Sequence, residues 1–133
     1  MKKVLAIILV LCMCISLCAC VSMDKFEENL DDDYQISRMR DSELEYYEKL
    51  LDLDADDYDL ETVKTATHKK SGVGVYIFEC GSAAKAKQLA EDAEDMVDIL
   101  ESTYASKYSF DMVVKGRFVL VGEEDAIEDA LGK

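Results

Sequence analysis

The sequence predicts an α+β fold for residues 23–133, a two-layer antiparallel sheet with helices on one face. Three observations lead there. Short alternating apolar runs flank Lys115-Gly116 as a hairpin would. A second alternating pair spans residues 61–80, and a 3.6-residue apolar period runs from about residue 83 to 104 between the two pairs. Hairpins joined by long helical connections favour an antiparallel sheet over a parallel one.

In chain order, Met23, Phe26 and Leu30 recur at helical spacing, so residues 23–31 suit a short helix. Asp31-Asp32-Asp33 should end it, because aspartates compete for nearby backbone amides. Tyr34 and Ile36 alternate as in a brief strand. Asp41 or Ser42 is placed to cap a second helix with the apolar stripe Leu44, Tyr47, Leu50 and Leu51. Residues 61–68 alternate with many β-branched side chains, and Lys69 to Gly72 turns the chain. The next strand, Val73 to Cys80, puts Val73, Val75 and Ile77 on one face and Tyr76, Phe78 and Cys80 on the other, the mark of a central strand. Ser82 caps a long helix over residues 83–104. Phe110–Val114 and Arg117–Val121 form the hairpin, with Gly116 supplying a positive φ. A last helix from about Glu123 buries Ala126, Ile127, Ala130 and Leu131 before Gly132. The order is α-β-α-β-β-α-β-β-α, ferredoxin-like in part.

The 133 residues contain 29 acids and 15 Lys or Arg, a formal charge of −14. That charge would repel a polymer of phosphates, so nucleic acid is an unsuitable partner. The acids are uneven: residues 20–61 hold 16 against 4 bases, and residues 62–133 hold 13 against 9. All six glycines fall at or after Gly72 and there is no proline, so turns in the front half must rely on Asp, Asn and Ser. The domain therefore divides into an acidic helical front, 23–60, and a sheet-rich back, 61–133.

Ahead of this domain, Met1-Lys2-Lys3 is followed by an uncharged run from Val4 to Val21, the pattern of a secretory signal. The run closes on Leu17-Cys18-Ala19-Cys20. This resembles the lipobox of bacterial lipoproteins, with Leu at −3, a small residue at −1 and Cys at +1; Cys18 at −2 departs from the usual choices. The resemblance covers about twenty residues. It implies that residues 1–19 are a signal peptide cut between Ala19 and Cys20, that the Cys20 thiol carries a diacylglyceryl group, and that residues 20–22 form a short tether. Cys12, Cys14 and Cys18 would leave with the signal, so Cys80 would be the single free thiol and no intramolecular disulfide could form. With its anchor and small size, the chain looks like the short lipoproteins of Gram-positive bacteria.

Candidate chemistry in the domain is sparse. Asp52, Asp54, Asp56 and Asp59 offer alternate oxygen ligands of the kind Ca²⁺ takes. An EF-hand loop starting at Asp52 nevertheless lacks the Gly at its sixth position and the Glu at its twelfth. The simpler reading of the run is a solvated acidic loop. His68 is the sole histidine, and pairing it with Cys80, a serine or the acids of 52–61 would give a nucleophile and base. No Gly-x-Ser-x-Gly elbow or P-loop is present. One His and one remaining Cys are too few for a typical zinc site. Tyr46, Tyr47 and Tyr58 are candidate contact residues for a sugar or a cationic peptide, although Tyr47 also belongs to a helix stripe. The leading expectation is a membrane-anchored, extracytoplasmic, non-catalytic binding or accessory module without a cofactor. It would be held to the membrane by lipid and would serve an envelope protein or a cationic ligand. The rivals are a small envelope hydrolase using His68 and a weak Ca²⁺ module.

Overall fold

A computed structural model describes residues 22–104 and 107–133. Five strands form one antiparallel sheet. They are β1 (Tyr34–Arg38), β2 (Thr62–His68), β3 (Gly74–Glu79), β4 (Phe110–Lys115) and β5 (Phe118–Glu123), in the spatial order β1-β2-β3-β5-β4. Among the described residues five helices accompany them: α1 (Met23–Leu30), α2 (Asp41–Leu51), α3 (Ala83–Asp92), α4 (Asp95–Thr103) and α5 (Glu124–Leu131). The α+β class and the antiparallel sheet are those the hairpin and helix patterns predict.

The local signals act largely as expected. Ser22 and Ser82 cap α1 and α3, each hydroxyl accepting the amide hydrogen three residues on. The aspartate run ends α1 in a 3-10 turn over Asp31–Asp33, tied by the Asp33 amide donating to Asp31 Oδ1 at 2.9 Å. Every non-glycine residue with positive φ among the described residues is an aspartate: Asp31, Asp52 and Asp59. At Asp52 and Asp59 the backbone is left-handed helical, a conformation Asp tolerates better than most side chains, so there it stands in for the glycine the front half lacks. Gly116, at φ 58°, begins the two-residue turn closed by Lys115 opposite Phe118. Gly74 is required for a different reason: a Cβ there would run into the backbone of Ala66 on β2.

Three local features differ from the sequence-based expectation. The helix expected over 83–104 is two helices, α3 and α4, separated by a turn at Ala93–Glu94. The buried positions Ala86, Leu89, Ala93, Met96 and Leu100 keep their alternate three- and four-residue steps straight through that turn, so the pattern carries no sign of it. Helix α2 has no side-chain cap; Arg40 stands at its N-cap, with Asp41 and Glu43 in its first turn beside the amide-rich end. Val73 precedes β3 and packs with Phe78 and Cys80, on the side opposite Val75 and Ile77.

The helices cover both faces of the sheet, not the one face the sequence predicts. On one, α1 and α5 bury Met23, Phe26, Leu30, Ala126, Ile127 and Ala130 against Val75, Ile77, Phe118 and Leu120. On the other, α3 and α4 bury Ala86, Leu89, Met96 and Leu100 against Phe78, Val119 and Val121. The reason lies in β3 and β5. Their alternating residues are apolar on both sides, and each side must be removed from water.

Candidate functional site

Two concavities merit attention, at different ends of the molecule. The first gathers around His68, the last residue of β2 and the register partner of Tyr34 on β1. Tyr34, His68, Ser71, Lys107, Tyr108 and the acids Glu123, Glu124, Asp125 and Asp129 line an open groove of about 550 Å³. The Tyr34 and His68 rings meet edge to face, centroids 5.1 Å apart, and the Tyr34 hydroxyl donates to Asp129 Oδ2 at 2.7 Å. Burial, then the Asp129 carboxylate, pushes the Tyr34 phenol above its ordinary range. Burial also raises the Glu123 carboxyl, opposed by the amide hydrogen of Ala126 that Glu123 accepts at 3.0 Å as the cap of α5.

His68 itself closes a turn. Its Nδ1 accepts the amide hydrogens of Lys70 at 3.2 Å and Ser71 at 3.4 Å. Among the described residues it makes no hydrogen bond to a carboxylate or a hydroxyl, the contact through which a base is oriented or a nucleophile activated. The acids expected to serve it are far away. The 52–61 run ends where β2 begins, so the length of β2, about 20 Å, separates that run from His68. Cys80 follows β3 at that same distant end, since Thr62 pairs with Glu79. The structure therefore brings neither Cys80 nor the acidic run to His68. Cys80 is fully buried, and burial lifts its thiol to about 11, with Glu79 adding to the effect. It is a core residue, not an exposed nucleophile.

The acidic run is occupied with shaping backbone. Asp52 ends α2 in the left-handed conformation, Asp54 caps the 3-10 turn Ala55–Tyr58, and Asp59 ends that turn. Asp52, Asp54, Asp56 and Asp59 do not converge, and no three metal-ligating side chains do so among the described residues.

The second concavity lies beneath α2. Leu44, Tyr47, Leu51, Phe78, Met96 and Val121 contribute to an apolar cavity of about 40 Å³. No residue of α2 is buried, and Leu50, expected in its stripe, is 46% exposed. The three candidate tyrosines are split by their surroundings. Tyr58 is buried and its hydroxyl donates to Asp92 Oδ2 at 2.8 Å. Tyr47 shares a 3.0 Å hydrogen bond with the Tyr76 hydroxyl. Tyr46 is exposed and rests edge-on against Tyr47. They form no common binding surface.

Ala19 and Cys20, the residues of the expected cleavage and lipidation, lie outside the described residues, as does the signal segment 1–19. No helix among the described residues is long and apolar enough to cross a membrane. A scan against protein-family models, a search of curated proteins and a search of solved structures each returned no match.

Proposed function

We propose that the protein is an extracytoplasmic lipoprotein, fixed to the cell membrane through Cys20, whose acidic domain is a non-catalytic binding or accessory module of the cell envelope. One observation carries the reading: the basic start, uncharged run and Leu17-Cys18-Ala19-Cys20 ending occur together and in the order that export and lipidation require. A thiol is the nucleophile that thioether formation with the lipid needs. Ser22, two residues beyond Cys20, caps α1, so a lipid on Cys20 would hold the domain near the bilayer. The excess of acids suits a cationic ligand or a basic patch on an envelope protein. Two or more acyl chains, at about 0.8 kcal/mol per buried CH₂, hold such a domain stably.

The test is mass spectrometry of membrane fractions, comparing the parent with Cys20→Ala. The parent is expected to lack residues 1–19 and to carry an acyl mass, and the variant to accumulate uncut. A variant processed and retained like the parent, or a parent recovered with Met1 and no acyl mass, overturns the proposal.

A further inference from the structure

We infer that the outer edge of β4 is a pairing surface for a second copy of this chain, joining two sheets antiparallel about a two-fold axis through Val113. β4 is the last strand of the sheet, and among the described residues no strand pairs with its outer side. It carries no proline, and its middle residues Met112, Val113 and Val114 are half-buried, not charged. An edge of this kind is a template for another strand.

The hairpin decides which backbone groups face outward. A two-residue turn closes on a hydrogen-bonded pair, Lys115 with Phe118, and bonded pairs then alternate. Lys115, Val113 and Asp111 therefore bond towards β5, leaving the amides and carbonyls of Val114, Met112 and Phe110 on the free side. One contact agrees: the Met112 amide donates to the Asp111 side chain at 2.8 Å. That bond satisfies an outward donor that has no strand partner.

Antiparallel pairing must match outward residues with outward residues. A two-fold axis at Val113 does so, placing Met112 opposite Val114 of the second copy. It also places Asp111 opposite Lys115 and Lys115 opposite Asp111, with Val113 facing Val113 between them. Both charged residues are exposed, and both lie on the Val113 face of the strand. The neighbouring two-fold registers, centred on Met112 or Val114, each set a charge against Val113. The strand thus complements itself in one register, twice in charge and throughout in polarity. Six residues span only about 20 Å, so the pair is weak in dilute solution, and anchoring in a membrane would concentrate it. The inference itself rests on the edge and not on the anchor.

The experiment is disulfide trapping of the full-length chain in whole cells, with diamide added as the oxidant of the thiols, so that the result does not depend on the anchor. Directly opposed non-hydrogen-bonded residues have Cα atoms about 4.5 Å apart, within disulfide reach. Val113→Cys is expected to give a covalent dimer at least tenfold above the parent and above Ser71→Cys, a control cysteine in the turn beside His68. Adding Asp111→Lys, which sets lysine against lysine, should abolish that product. Adding Asp111→Lys with Lys115→Asp should restore it, and the restoring variant shows that the loss is not misfolding. Val113→Cys product no greater than the controls overturns the inference. So do product unaffected by Asp111→Lys, a charge swap that fails to rescue, and a Val113→Cys adduct formed with a different protein.

Discussion

Helices α1 and α2 begin from the same spacing and end in different states. Met23, Phe26 and Leu30 on α1, and Leu44, Tyr47 and Leu51 on α2, each step by three and then four residues, and both helices come from the acidic front half. All three positions on α1 are buried, whereas none on α2 is. The difference lies in what each helix meets. α1 faces α5, whose Ala126 and Ala130 let the backbones approach, and Asn29 Nδ2 donates to the Ala130 carbonyl at 2.9 Å. Phe26 then reaches Phe118 on β5 edge to face, centroids 5.0 Å apart. α2 lies instead over an apolar cavity, held by the Tyr47–Tyr76 hydroxyl pair and half-buried leucines. A periodic stripe says which side of a helix is apolar. The small residues on its neighbour decide how deeply that side is buried.

The largest expected effect breaks this comparison if it fails. Phe26→Ala should cost about 3–5 kcal/mol, the usual range for emptying a filled aromatic site. Leu44→Ala, on a half-buried face beside existing space, should cost about 1 kcal/mol, because less surface returns to water. Urea denaturation of both variants measures the ratio. Equal losses would mean that α2 is held as firmly as α1.

Tyr58 sharpens the comparison on the α2 side, because it ties the acidic turn after α2 to α3 through Asp92. Tyr58→Phe should cost about 1.5 kcal/mol at neutral pH, the scale of a hydrogen bond to a charged acceptor. Its pH dependence has a definite sign. Burial, aided by Asp92, raises the folded phenol from 10.0 to about 12. The unfolded phenol ionises first, so the stabilisation is complete below pH 10 and is lost as pH rises towards 12. Alkaline melts should show Tyr58→Phe losing less stability over that interval than the parent. A parallel decline in the two proteins would remove the Asp92 bond from the account.

Much of this arrangement was legible where the cause is local. Ser82 as a cap, the aspartate run after Leu30, the Gly116 turn and the strand alternation each work through neighbours in sequence. What escaped was set by distant groups. The turn at Ala93–Glu94 leaves the apolar steps unchanged, and the exposure of Leu50 depends on where α2 lies against the sheet. Cover on both faces had a signal in β3, where Val75 and Ile77 oppose Tyr76 and Phe78, and two apolar faces need two sets of helices. The His68 groove was less legible still. Its acids come from Glu123 to Asp129, more than fifty residues downstream, and a pattern search around His68 passes them by. The symmetric spacing of Asp111, Val113 and Lys115 was visible in the sequence, but it gained meaning only once β4 proved to be an edge.

The smallest expected effect concerns how α2 ends. Asp52 closes the helix at φ 55° and ψ 49°, its amide donating to the Glu48 carbonyl. Glycine adopts that conformation without steric cost, while alanine has neither glycine's freedom nor aspartate's local hydrogen bonding. Asp52→Gly should therefore change stability by no more than about 0.5 kcal/mol, since relief of the backbone offsets the added freedom of the unfolded chain. Asp52→Ala should lose about 1 kcal/mol. Thermal melts of the two variants separate a conformational role from an electrostatic one, because both remove the same charge. If glycine and alanine prove equally costly, the carboxylate and not the left-handed backbone is what position 52 supplies to α2.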